Sequence, residues 1–201
     1  MASPTPRRKK LSAWKKSTFA LLTTALVFAL LEGLLALCGV RPVGVDSDPY
    51  VGFAANIPLF VERREVDGRS YLATAENKLP WFNPQRFAKR KPRGTYRIFC
   101  LGGSTTYGRP YRDTASFSGW LRELLPVVDS GHPWEVINAG GISYASYRVV
   151  RVMEELTRYE PDLFVVYSGH NEFLERRTYQ DLFDTPGGLI DAAVFVSRCR
   201  P

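Results

Sequence analysis

The sequence predicts an α/β fold built on a parallel sheet in three layers, and three observations carry that reading. Short apolar runs at Ile98–Leu101, Trp134–Asn138 and Leu163–Tyr167 alternate with stretches of helical spacing. Each run gives way to a polar, glycine-containing turn: Gly102-Gly103-Ser104, Ala139-Gly140-Gly141 and Ser168-Gly169-His170-Asn171. The connections are short enough for successive strands to lie side by side with helices packed across them.

Ahead of this domain the chain divides by composition. Residues 1–16 form a basic tail, 17–40 an apolar anchor, 41–94 a linker with a hairpin, and 95–201 the main domain. Of 27 Lys and Arg, six (Arg7, Arg8, Lys9, Lys10, Lys15, Lys16) precede the apolar run, and the other 21 nearly balance 20 Asp and Glu. A net charge of +7 therefore belongs to a membrane-facing tail, and a nucleic-acid partner loses its main support. Thr18–Val40 is broken only by Glu32 and Gly33. About 20 apolar residues cross a bilayer as a helix, so the run suffices. The preceding bases set the amino terminus in the cytoplasm and the main domain outside, periplasmic in a bacterium. An uncleaved signal anchor is preferred to a cleaved signal, because no A-x-A-like site closes the run. It is also preferred to a lipoprotein site, since Leu37 before Cys38 is too large, and to a twin-arginine signal, which the residues after Arg7-Arg8 match poorly.

In 41–94, Leu59–Val66 and Arg69–Ala75 flank Asp67-Gly68, a hairpin signal between membrane and main domain. A loop with Lys89, Arg90, Lys91 and Arg93 follows and is read as solvated. Past Ser104, a helix is expected over Ser116–Leu125 with Pro126 as its stop. A second is expected over Tyr147–Tyr159, with Val150, Met153 and Leu156 facing the core, and an amphipathic one over Gly188–Arg200. Cys38, Cys100 and Cys199 sit at no metal-ligand spacing, and no metal or cofactor is expected. Cys38 and Cys100 read as small apolar residues within their runs. His132, between Gly131 and Pro133, is expected in a solvated turn.

In a parallel sheet the three turns share the carboxyl edge, where open α/β sheets bind ligands. Ser104, the Asn138–Ser143 loop and Asn171 should therefore converge. Ester cleavage needs a nucleophile and donors aimed at the developing oxyanion. Ser104 can supply the first together with its own amide, the middle loop a backbone amide, and Asn171 a side-chain amide. A Ser/Thr turn that merely caps the next helix is the plainer reading of Ser104 alone.

These residues resemble the SGNH, or GDSL-like, serine hydrolases. GGSTTYG is similar to that family's first block, VINAGGISYASYR to its second and YSGHNEF to its third, over about Thr95–Tyr179. The resemblance implies a flavodoxin-like parallel sheet, Ser104 as nucleophile, and Asn171 and the Ser143 amide as oxyanion donors. It places Gly103, Gly140, Gly141, Gly169 and His170 around the substrate. The second-block glycine falls on Ser143, which a backbone donor tolerates. The family's late Asp-x-x-His is not matched: Asp181, Asp184 and Asp191 follow Asn171, but no histidine does. Three strands against the family's five lead to the expectation that this chain is the front part of a longer protein, or a naturally short and inactive one. The implied activity is a membrane-anchored extracytoplasmic esterase or deacylase acting on acyl esters, acylated carbohydrate among them. Alternatives are an O-acyltransferase of envelope polysaccharide or an inactive interaction protein. A nucleotide- or phosphate-binding module is the weaker reading, since Arg109-Pro110 stands where a P-loop needs Lys-Ser/Thr and Pro110 breaks the helix it must open.

Overall fold

The structure is a computed structural model that describes residues 12–40, 52–53, 57–65, 68–189 and 192. The chain falls into two compact units, one holding the apolar helix and the other spanning Pro42–Cys199.

Helix α1, Ala13–Leu37, is 25 residues long, or about 37 Å at 1.5 Å per residue, longer than the roughly 30 Å hydrocarbon core of a bilayer. It is long and apolar enough to span a membrane, and none of its residues is buried. Thr18 and Thr23 donate their hydroxyls to the carbonyls of Trp14 and Phe19 at 3.0 and 2.8 Å, so neither adds an unpaired polar group. The helix starts before the expected Thr18 and stops at Leu37 rather than Val40. Its end is set by Gly39 at φ 73°, with Gly39 N–H donating to Ala36 and Val40 N–H to Leu35. That pair of bonds closes a helix through a left-handed residue.

In the second unit, β1 (Phe60–Arg64) pairs antiparallel with β2 (Ser70–Thr74), as the hairpin signal predicts. Val66 and Asp67 of its turn lie outside the described residues. A third strand, β3 (Arg86–Ala88), pairs with β2 and was not expected. This small sheet is no free-standing spacer. Phe60, Leu72 and Phe87 are buried in one core with Phe99 and Leu101 of the main sheet, and Phe87 meets Phe60 and Phe99 edge-on at 4.9 and 5.5 Å. Buried polar side chains pin the two together. Glu155 accepts the amides of Leu59 and Phe60 at 2.6 and 2.9 Å. Arg97, fully buried, donates to Glu135, the Tyr159 carbonyl and the Ala88 carbonyl at 2.5–2.8 Å.

The main sheet has the order β5-β4-β6, all parallel, with β4 (Tyr96–Gly102) between β5 (Trp134–Gly140) and β6 (Leu163–Tyr167). Alternation along β4 feeds two cores. Phe99 and Leu101 face Val149, Val152 and Leu156 of α4 (Ser146–Leu156). Ile98 and Cys100 face Phe117, Leu121 and Leu125 of α3 (Phe117–Val128). The chain is thus mixed α/β with a short parallel three-stranded sheet and an N-terminal apolar helix. Between β4 and α3 lies one short turn of helix, α2 (Ser104–Tyr107).

Two helical expectations are corrected. Pro126 does not stop α3, which runs on to Val128; near a helix end the lost i→i−4 bond is a small penalty, and Asp129 N–H still reaches the Leu125 carbonyl. On α4 the expected Leu156 is in the core and Met153 packs against it, but Val150 is 47% exposed and Val149 and Val152 take its place on the inner face. The tail helix expected over Gly188–Arg200 lies almost entirely outside the described residues. After β6 come α5 (Glu172–Thr178) and α6 (Gln180–Asp184).

Candidate functional site

The site forms where β4 and β6 end together, since Gly102 pairs with Tyr167. Gly102 has φ 153°, and a side chain there would place Cβ 2.0 Å from the Tyr167 carbonyl oxygen. Glycine is what lets the two strand ends meet. Gly103 follows and opens α2 at Ser104. A Cβ on Gly103 would lie 2.5 Å from Nδ2 of Asn171, so the Asn171 carboxamide is packed directly on the residue before Ser104.

A cavity of about 400 Å³ occupies this edge, walled by Gly103, Ser104 and Thr105 on one side and by Tyr144 and the Tyr167–Asn171 stretch on the other. Ser104, Gly103, Asn171, Gly169 and His170 are therefore brought together. Ser104 is half-buried at the first position of α2, where amides have no intrahelical acceptor. Asn171 is 8% exposed and donates one Nδ2 hydrogen to the Tyr144 carbonyl at 2.8 Å. An amide nitrogen carries two hydrogens, so a second remains for another acceptor. His170 is exposed on the wall, and no hydrogen bond joins its imidazole to the Ser104 hydroxyl.

Gly140 and Gly141 are not brought to the cavity. Their amides already donate, Gly140 to Asn138 Oδ1 at 3.0 Å and Gly141 to the Gly102 carbonyl at 2.9 Å, which leaves neither for an oxyanion. Ser143 also lies outside the cavity wall, in the exposed turn just before Tyr144. It adopts φ 63°, an uncommon conformation for a residue with a side chain, and Arg148 Nη2 holds its carbonyl at 2.7 Å.

The residues that position α2 were missed in the sequence. Asn138, 1% exposed, donates to the Thr106 carbonyl at 2.9 Å and to Asp113 Oδ1 at 2.6 Å. Asn83 donates to the Tyr107 carbonyl at 2.7 Å. The last carbonyls of α2 are thus held by two side chains from distant parts of the chain. The signal for Asn138 was present: a lone amide in the otherwise apolar run Val136-Ile137-Asn138-Ala139. Asn83 had none, because its segment reads as a loop. That segment also bonds to the second turn, Ile142 N–H donating to the Trp81 carbonyl at 2.9 Å.

Electrostatics around the site are uneven. Burial raises the Glu175 carboxyl above its ordinary value even though the Arg148 guanidinium opposes the shift. For Glu172, partial burial pulls upward, but hydrogen bonds from Ser146 and Ser168 outweigh it and hold the carboxyl below its ordinary value. Burial pushes the Cys100 thiol up to about 12, which leaves it inert in the core. His132 precedes β5 and so sits at the opposite sheet edge from Ser104. It is not simply solvated: its half-buried ring packs at a tilt against Trp134, the centroids 4.3 Å apart. Comparison with protein-family models and with curated proteins finds no match for this chain.

Proposed function

We propose that this chain is a membrane-anchored serine esterase or deacylase of the SGNH type, with Ser104 attacking an acyl ester. The observation that carries the reading is the single cavity shared by Ser104 and Asn171, whose carboxamide packs on Gly103. In this reading Oγ of Ser104 adds to the acyl carbon as the C=O π bond opens onto oxygen, its proton passing to water in the cavity, and the ester's alcohol then leaves with a proton returned from water. The carbonyl oxygen gains negative charge and is met by the free Nδ2 hydrogen of Asn171 and the Ser104 amide. A donor of this kind contributes roughly 3–4 kcal/mol to the transition state. The Ser143 amide, the other donor the resemblance implies, lies in the adjoining turn outside the cavity wall, where Arg148 holds its carbonyl.

The cavity is open and polar at its rim, which suits an ester on a bulky acceptor such as a carbohydrate. Water and a sugar hydroxyl are both competent to take the acyl group. Lys15 and Lys16 at the start of α1 favour a cytoplasmic amino terminus, which sets Pro42–Cys199 outside. A reporter joined after Val40 is then active only beyond the cytoplasm; cytoplasmic activity rejects this topology.

One observation favours a second reading, an inactive SGNH-fold interaction protein: no described imidazole bonds to the Ser104 hydroxyl. A serine without a base is a weak nucleophile at neutral pH. Ester turnover by the full chain separates the two. The esterase reading expects nitrophenyl acetate hydrolysis that vanishes in Ser104→Ala. Hydrolysis that survives this change, or none in the intact chain, rejects it.

A further inference from the structure

A fully buried ion pair lies behind the cavity wall. Arg148 on α4 donates Nε–H to Glu175 Oε1 on α5, and neither side chain has any exposed surface. The guanidinium is enclosed by the rings of Tyr144, Tyr179 and Phe53 at 4.2, 4.9 and 5.3 Å. Replacing such a pair by apolar residues of similar size is often neutral or stabilising, so its presence asks for a reason other than stability.

The bonds around it supply one. Arg148 Nη2 donates to the carbonyl of Ser143, the residue held at φ 63°. Glu175 stands one helical turn after Asn171, and its N–H donates to the Asn171 carbonyl at 2.9 Å. The Asn171 side chain returns to the Tyr144 carbonyl, next to Ser143. These bonds close a ring running Ser143, Arg148, Glu175, Asn171, Tyr144. The ring ties the two proposed oxyanion donors to one rigid centre.

We propose that Arg148 and Glu175 are a positioning pair that sets the Ser143 turn against the Asn171 carboxamide. The inference rests on the Ser104 reading for its catalytic meaning. Neither residue touches substrate. The guanidinium fixes the direction of the Ser143 peptide through its carbonyl, while Glu175 fixes the guanidinium and, through its helix, Asn171. The Glu175 carboxylate also accepts a backbone hydrogen bond from Ala145, just ahead of α4, so it ties α5 to the end of the Ser143 turn as well as to Arg148.

The test is the double variant Arg148→Met with Glu175→Leu in the full chain. Arg148→Met alone strands a buried charge and should melt early, and the double variant should recover part of that loss, the rest reflecting the Ala145 amide left without its acceptor. Labelling of Ser104 by a fluorophosphonate should nonetheless be about 100-fold slower in the double variant, the cost of a displacement near 1 Å at the donors. A folded double variant that labels at the wild-type rate overturns the proposal. If the double variant does not fold, Arg148→Lys replaces it, keeping the charge but losing the fork to Ser143. Slow labelling there supports the pair, and wild-type labelling overturns it. A second readout separates this from the Ser104 reading. Should the wild-type chain not label at all, that reading fails, and the side-chain amide resonance of Asn171 still reports on placement. A shift of that resonance in the variant supports the pair; an unmoved resonance overturns it.

Discussion

Two asparagines stand on either side of β4, and their surroundings give the same side chain opposite roles. Asn138 on β5 has its amide hydrogens engaged by the Thr106 carbonyl and Asp113, and its oxygen by the Gly140 amide. Asn171, after β6, shows one donor bond, to Tyr144, and borders a cavity. Full engagement makes Asn138 a brace for α2, and partial engagement leaves Asn171 a hydrogen to offer. The flanks differ in the same sense. Along β5 the last five residues are buried, whereas Leu163, Val166 and Tyr167 of β6 are 42–59% exposed. Both are edge strands among the described residues, but the flank that holds the candidate chemistry is the more exposed of the two.

The comparison breaks first at Asn171. Asn171→Ala should slow esterase turnover by about 100- to 1,000-fold, far beyond the about 1–3 kcal/mol of stability lost with its buried bond to the Tyr144 carbonyl. A rate within a few-fold of wild type would make Asn171 another brace. Gly103→Ala comes next, because its Cβ would fall 2.5 Å from Asn171 Nδ2 and push the carboxamide aside. Steady-state kinetics should show a loss of up to about 100-fold from that displacement. Asn138→Ala should do the reverse, costing about 1–3 kcal/mol in chemical denaturation by leaving buried partners unpaired.

Smaller effects test the flanks. Val166→Lys should reduce self-association measured by light scattering, since β6 is a half-exposed apolar edge among the described residues and a lysine on such an edge opposes strand addition. The smallest change belongs to Glu172, which bridges Ser146 and Ser168 across the rim. Its folded carboxyl lies below the ordinary value of 4.5. The unfolded chain therefore takes up the proton first, and the contribution is present above pH 4.5 and lost as pH falls towards the folded value. Glu172→Gln should flatten that acid limb in pH-dependent thermal melts.

What the sequence discloses follows the range of the forces involved. β4, β5 and β6 are legible because a strand covered by helices needs a continuous apolar run, and Ile98–Leu101 and Leu163–Tyr167 have no other good use. The convergence of Ser104 with Asn171 follows from strand direction alone. β3 escapes because three residues, Arg86–Ala88, carry no period of their own and form a strand only by pairing with β2. The face of α4 is misread because Val149 and Val150 are alike in hydropathy, and burial of Arg148 and Glu155 on the inner side contradicts any apolar-stripe rule. Those charges are accommodated by partners far away in sequence: Glu175 for Arg148, and the Leu59 and Phe60 amides for Glu155. Asn83 reaches Tyr107 in the same long-range manner. Gly140 and Gly141 were expected to touch substrate, but their amides close bonds to Asn138 and Gly102 that only the folded turn defines.

Mass-spectrometric mapping of a fluorophosphonate adduct on the full chain tests the central claim most directly, with Asn171→Ala run beside the wild type. The account predicts an adduct on Ser104 that forms far more slowly once Asn171 is truncated. An adduct on another residue, no adduct in either protein, or equal rates in both would contradict it.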